Sequence, residues 1–205
     1  SPYNELLRLQ EYTEKLLKTE SLQPAFKFTL YQLRKDTTAA LSFWKNAKNI
    51  SEQKKILPKY DKLQIGGGKH YLPDFVNLDL FSPADIIWDC RYDLPFTDGS
   101  FTFIFSEHFF EHIDFPLSAK SILGETHRIL KPNGSLFLGV PDGGKVIKSY
   151  VSGNKNFLKK LYENCYNKRN PPVEVYGDLD LVNYLFRDQI DNPNYAPHLW
   201  AYDEL

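Results

Sequence analysis

The run Leu63-Gln64-Ile65-Gly66-Gly67-Gly68-Lys69-His70 places three glycines directly after a short apolar stretch. There the chain must turn sharply, and a backbone without Cβ atoms can approach a ligand closely. A dinucleotide fingerprint reads G-x-G-x-x-G; counted from Gly66 the sixth position is Tyr71, so the third glycine is absent and a nicotinamide or flavin cofactor loses support. A different small nucleotide ligand is favoured. Asp79 ends the next apolar stretch, where a carboxylate can accept both hydroxyls of a ribose lying across strand tips, and Asp89 ends a third. Either acid alone is as well explained by a turn or a cap, because Asp bonds its own backbone locally. The series points to one ligand site.

A second group of reactive side chains follows at His108-Phe109-Phe110-Glu111-His112. Histidine titrates near neutrality, so His112 first, then His108 and Glu111, are candidates for a base acting on a protonated acceptor. A structural role orienting the loop is an equal alternative for His112 and the stronger one for His108. The five residues also match the H-x-x-E-H pattern of inverted zinc proteases, although the match begins at a strand tip and no further acidic ligand stands out downstream. A metal held by Glu107, Glu111 and His112 is a related minor reading, and no metal site is assigned. Cys90 and Cys165 lie far apart in no metal-like spacing and read as two reduced thiols.

The elements that must position these residues are short. Apolar, β-branched and aromatic runs at Lys62–Ile65, Phe75–Leu80, Ala84–Trp88, Phe101–Phe105 and Ser135–Val140 read as strands buried on both faces. Pro116–Lys131 reads as a helix with Ile122, Leu123, His127, Ile129 and Leu130 on or near its inner side, ended by Lys131-Pro132-Asn133-Gly134. Strand, helix, strand implies a parallel α/β unit. Ahead of this core, residues 3–19 put Leu6, Leu9, Tyr12, Leu16 and Leu17 near one helical face, and a second long helix follows Pro24. Beyond it, residues 145–169 are helical in pattern, and the last stretch is rich in Tyr, Asp, Asn and Pro without a clean period. The chain divides as a helical extension over 1–58 and an α/β domain over 59–205.

Composition narrows the function classes. Of 205 residues, 42% are hydrophobic and 25% charged, enough to bury a core. The net charge of -1 supplies no broad positive field for bulk DNA or RNA. No stretch approaches the ~18 apolar residues that span a bilayer, so the expectation is a cytoplasmic protein. The chain has no Met, and a segment missing at either end is expected.

Taken together, Leu63–Gly68, Asn77-Leu78-Asp79, Asp89, Leu94-Pro95-Phe96-Thr97-Asp98-Gly99-Ser100-Phe101, Glu111-His112 and Arg128-Ile129-Leu130-Lys131-Pro132-Asn133-Gly134 resemble the class I S-adenosylmethionine-dependent methyltransferases, in particular the small type 11 methyltransferase domain. The resemblance covers roughly residues 60–142. It implies a Rossmann-like, mostly parallel sheet with flanking helices. It also implies S-adenosylmethionine as cofactor, with Gly66, Gly67 and Gly68 passing under the methionine moiety and Asp79, beside Leu80, holding the ribose. Asp89 and Cys90 would face the adenine amino group and Leu94-Pro95-Phe96 would shape its side. Ser106 and Glu107 would sit under the sulfonium, and Val140-Pro141-Asp142 would open towards the acceptor. That acceptor is expected to be a small molecule or a sugar-containing intermediate, with Tyr150, Tyr162, Tyr166, Tyr176, Tyr184, Tyr195, Trp200 and Tyr202 available to line a pocket or a core.

Three departures qualify the resemblance. Gln64 stands where many members carry an acid, and an amide can hydrogen-bond to the cofactor's ammonium group without pairing its charge. Six residues separate Gly68 from Phe75, and fewer separate Leu80 from Ala84, too few for helical crossovers, so the N-terminal helices are expected to cover the face left bare. The chain stops where a further helix and the last strands of the sheet would follow, so the C-terminal part of the sheet is expected to be missing or covered by a partner. A methyltransferase-like scaffold without catalysis is the competing class; loss of cofactor binding would mark it.

Overall fold

Pro2 and Pro24 each open a helix, because proline's fixed φ suits the first turn, where its absent N–H is not needed. In the computed structural model, which describes residues 1–55, 60–168, 174–186 and 198–203, α1 spans Pro2–Leu17, α2 Pro24–Ala47 and the single turn α3 Ile50–Gln53. The chain forms two compact units, Ser1–Phe109 with Pro116–Gly139 and Phe110–Phe115 with Val140–Leu205.

In the first unit a five-stranded sheet is built from β1 (Lys62–Ile65), β2 (Val76–Asp79), β3 (Ile86–Ile87), β4 (Phe101–Glu107) and β5 (Leu130–Gly139). The order is β3-β2-β1-β4-β5 and every pairing is parallel. The α/β expectation holds, with α4 (Leu117–Ile129) as the crossover between β4 and β5. Strand order reverses at β1, with β2 on one side and β4 on the other, and in such sheets a crevice opens beyond the carboxyl ends of the strands at that point. Leu63, Ile65, Val76, Ile86 and Ile104 are fully buried in this sheet.

The connections β1–β2 and β2–β3 hold no helix, as the short spacings predict. The N-terminal helices meet the sheet chiefly at the β3 edge. Gln53 Oε1 accepts the Ile87 N–H at 2.7 Å, Ser42 donates to the Leu80 carbonyl at 3.2 Å, and the Phe43 ring stacks on Tyr92 and meets Trp88 edge-on. Gln53 thereby occupies one donor of an edge strand that would otherwise template unwanted pairing.

Several local readings shift. The inner face of α1 runs through half-buried Leu6 and Gln10 to buried Thr13, while Leu9 and Tyr12 are exposed, because α2 presents Thr38 to Gln10 at 2.6 Å. On α4 the inner side is Ala119, Ile122, Thr126 and Ile129; Leu123 and His127 face outward. The strand expected from Ser135 starts at Leu130, which pairs with Phe101. The register then shifts before Ser135 pairs with Phe103, and Asn133, at φ +64°, lies in that irregular stretch. At the far edge among the described residues, β5 exposes Phe137 and Leu138. No helix among the described residues is long and apolar enough to cross a membrane.

The second unit contains α5 (Gly143–Val151), α6 (Lys155–Leu161) running into a π-helical turn at Tyr162–Tyr166, and α7 (Asp178–Phe186). Asp142 and Asn154 cap α5 and α6 by accepting the N–H of Lys145 and Phe157. The aromatic-rich region, read as aperiodic, yields α7 because Leu181, Tyr184 and Leu185 bury one side of it. Tyr166 and Tyr184 join Leu158 and Leu181 in a core against which Tyr162 packs, whereas Tyr150 and Tyr176 are exposed. Trp200 stacks on Phe115, and Tyr202 pairs in a bridge with Asp142. Tyr195 lies outside the described residues.

Candidate functional site

Gly66 and Gly68 take φ values of +69° and +56°, a region that a side chain disfavours, so the turn after β1 requires glycine at both. A Cβ at Gly66 would fall 2.2 Å from Phe109 Cδ2, and one at Gly67 would fall 2.5 Å from Gln64 Nε2. Gly68 has open space around it. The turn is therefore wedged between Phe109 on one side and the buried Gln64 on the other, with Gly68 as its bare tip. Phe109 was not singled out from sequence; its only signal is position, two residues past the end of β4.

The tip is tied to the end of the neighbouring strand. The Gly68 N–H donates to Asp79 Oδ2 at 2.9 Å, and the Phe81 N–H donates to Asp79 Oδ1 at 3.0 Å. A carboxylate offers about four acceptor positions, so the half-buried Asp79 keeps capacity for two more donors. Below the turn, Gln64 Oε1 is buried and has no hydrogen-bond partner among the described residues. Buried acceptors are rarely left so, and a ligand donor is one way to complete them.

Asp89 is 6% exposed and held by Arg91. The guanidinium donates to both carboxylate oxygens in three contacts of 2.6–3.1 Å, and the Arg91 backbone N–H adds a fourth, to Oδ1 at 3.0 Å. This bidentate clamp raises the Arg91 pKa. Cys90 beside it is a thiol: burial first, then the charges of Asp89 and Asp79, push its pKa upward. Leu94 and Phe96 are buried, and their carbonyls accept from Arg128, which also pairs with Glu125 and Asp98. Ser106 is buried and its hydroxyl donates to the Ile65 carbonyl at 3.1 Å, locking β4 to β1; Glu107 beside it is exposed. Leu80 is half-buried, its carbonyl taken by Ser42. Gln64, the glycines, Asp79, Leu80, Asp89, Cys90, Ser106 and Glu107 thus lie at or just beyond the carboxyl ends of β1 to β4.

The histidine-bearing segment does not form one helix. His108 sits at φ +53° with its N–H donated to the Gly139 carbonyl, and only Phe110–His112 make a 3₁₀ turn. Two histidines four apart on one helical face, which the H-x-x-E-H reading needs, are therefore absent. In the second unit, buried Glu111 and half-buried His112 meet His198. Nothing local to residues 108–112 could have signalled it. In that unit a cavity of about 590 Å³ is lined by Asp142, Lys145, Lys148, Ser149, Asn154 and Asp203 among others.

Residues 82–138, from the approach to β3 into β5, match the family model described as a methyltransferase domain. Over this stretch the chain is similar to the methyltransferase domain family. A crystal structure of a proposed S-adenosyl-L-methionine-dependent methyltransferase from Methanococcus maripaludis is similar at 17% identity, covering 74% of this chain and 83% of that one with a TM-score of 0.33. Among curated proteins there is no match. The methyltransferase family implies S-adenosylmethionine as cofactor, and the first unit fits it. It offers a Cβ-free turn tip, a strand-end carboxylate with acceptor capacity to spare, and one buried amide oxygen without a partner among the described residues.

Proposed function

We propose that the chain is an S-adenosylmethionine-dependent methyltransferase acting on a small-molecule or sugar-containing acceptor in the cytoplasm. The observation that carries the cofactor site is the coupling of the Gly68 tip to Asp79 at the point where strand order reverses. Residues 1–58 would be an extension, and 59–205 the methyltransferase domain that it supports.

The proposed roles follow from what each group has left to offer. Asp79 accepts the ribose hydroxyls with the lone pairs that Gly68 and Phe81 do not use. Gln64 Oε1 accepts from the ammonium group of the methionine moiety, and Gly66 and Gly67 keep side chains out of its path. Leu80 flanks the ribose. Asp89, buried and clamped by Arg91, orders the loop on the adenine side, where Cys90 contributes a neutral, compact wall. Ser106 holds β4 and β1 in register so that Glu107 stands at the strand tip. When bound, the cofactor supplies an electrophilic methyl group for in-line displacement; the protein's part is alignment and exclusion of water. His112, with Glu111 and His108 as secondary candidates, would take a proton from a hydroxyl acceptor. The polar lining of the cavity beside Asp142 suits a hydroxylated acceptor.

Calorimetric titration of S-adenosylmethionine and its demethylated product into the protein tests this reading. Saturable one-site binding that Asp79→Ala weakens about a hundredfold is expected. A well-folded protein that binds neither compound would replace the enzyme with the scaffold alternative.

A further inference from the structure

Glu111, His112 and His198 bring one carboxylate oxygen and two imidazole nitrogens within 4.8 Å of one another, all inside the second unit. The Glu111 side chain is among the most deeply buried in the molecule, at 1% exposure. The two imidazole rings lie 4.9 Å apart and tilted at 65°, so they do not stack face to face.

Two features prepare the cluster. His198 Nδ1 lies 2.6 Å from the Leu185 carbonyl oxygen. A carbonyl only accepts, so Nδ1 is the donor, which in the neutral ring leaves the lone pair of Nε2 for a ligand. Metal-binding histidines are oriented in this way, with the second nitrogen donated to a carbonyl or carboxylate. In addition, the Glu111 carbonyl accepts from both Leu199 at 2.6 Å and Trp200 at 3.2 Å, which fixes the backbone after His198 against the 3₁₀ turn that carries Glu111 and His112. The residues are held together by backbone bonds before any ligand is considered.

We propose that Glu111, His112 and His198 form a binding site for one divalent transition-metal ion. Two imidazoles and one carboxylate favour zinc over calcium or magnesium, which prefer all-oxygen sets. Zinc ligands at about 2.0–2.1 Å in a tetrahedron stand roughly 3.4 Å apart, so metal binding would draw the three ligand atoms closer than the 4.8 Å within which they now lie. Three protein ligands leave a fourth position for water, and the ion would staple the segment at His198 to the turn at Glu111. The site shares no residue with the proposed cofactor pocket, but it takes up His112 and Glu111, so in the metal-bound chain these two are ligands and not the proton acceptor.

The test uses the untagged, chelator-stripped full chain and cobalt(II) as an optical probe for zinc, without cofactor. One equivalent of cobalt with visible d–d bands, displaced by zinc, is expected, together with a rise in thermal midpoint on adding zinc. His198→Gln and Glu111→Gln, with unchanged far-UV circular dichroism, should each weaken cobalt binding by about a hundredfold or more. Absence of saturable cobalt and zinc binding, or binding unchanged in His198→Gln, overturns the proposal. Should both variants fail to fold, the wild type decides by proton NMR. Zinc should perturb the ring signals of two of the five histidines; perturbation of none, or of all five alike, overturns the site.

Discussion

The turn after β1 and the cluster at Glu111 both gather polar groups, but by opposite means. In the first unit, Gly66 to Gly68 and Asp79 belong to consecutive strands of one parallel sheet, and the register Ile65 to Leu78 brings their ends together. Backbone geometry does the positioning; side chains are kept out of the turn. In the second unit the partners come from a 3₁₀ turn and from a segment far along the chain, and two backbone bonds to the Glu111 carbonyl hold them. Side chains there are the content of the site. Substitutions at the glycines of the first region should therefore act through sterics and backbone conformation, whereas those at Asp79 and in the second region should act through ligand chemistry.

The largest effect is expected for Gly66→Ala. A Cβ 2.2 Å from Phe109 on a backbone at φ +69° combines overpacking with strain and should cost about 4 kcal/mol in chemical denaturation. Phe109→Ala added to it should recover the steric part and leave the strain; no recovery would break the sterics half of the comparison. Asp79→Ala should weaken S-adenosylmethionine about a hundredfold, the loss of two charge-assisted hydrogen bonds, measured by calorimetry. By contrast, His112→Gln should leave that affinity within about twofold while slowing transfer to a hydroxyl acceptor. An affinity loss equal to that of Asp79→Ala would mean that the two regions do not act separately.

A smaller effect is expected at Glu125, whose pKa is lowered first by its hydrogen bond to Arg128, against a smaller opposing effect of burial. Because the folded value lies below the unfolded one, near 4.5, the stabilisation is complete above about pH 4.5 and is lost as pH falls through the folded value. Glu125→Gln should therefore be less stable than the parent at pH 7, by about 1–2 kcal/mol, with the difference shrinking on acidification below pH 4.5. The smallest change is Gln53→Ala, about 1 kcal/mol, through loss of the acceptor on Ile87 at the sheet edge.

Strands β1 and β2 were legible to within a residue at either end, because each is a short apolar run closed by glycine or Asp. The helix α4 was legible in extent, but not in which residues face inward. Leu123 and His127 satisfy the period yet point outward, since the facing sheet determines the rotation of the helix. The strand β5 starts earlier than expected because Leu130 finds Phe101 before the irregular turn at Asn133. That pairing needs a partner whose position the local sequence does not contain.

By itself, the sequence determined that a glycine turn follows one buried strand and an acid ends the next. It also determined that too few residues separate the early strands for helical crossovers. These are local facts of φ, chain length and strand-type composition, and they need no partner to operate. Only the tertiary structure decided that Phe109 closes over Gly66, that Arg91 occupies Asp89, and that Gln64 keeps a buried oxygen unspent among the described residues. The same is true of His198 meeting Glu111 and His112. Those outcomes depend on which side chains arrive from other elements, and arrival is settled by packing, which no short stretch of chain encodes.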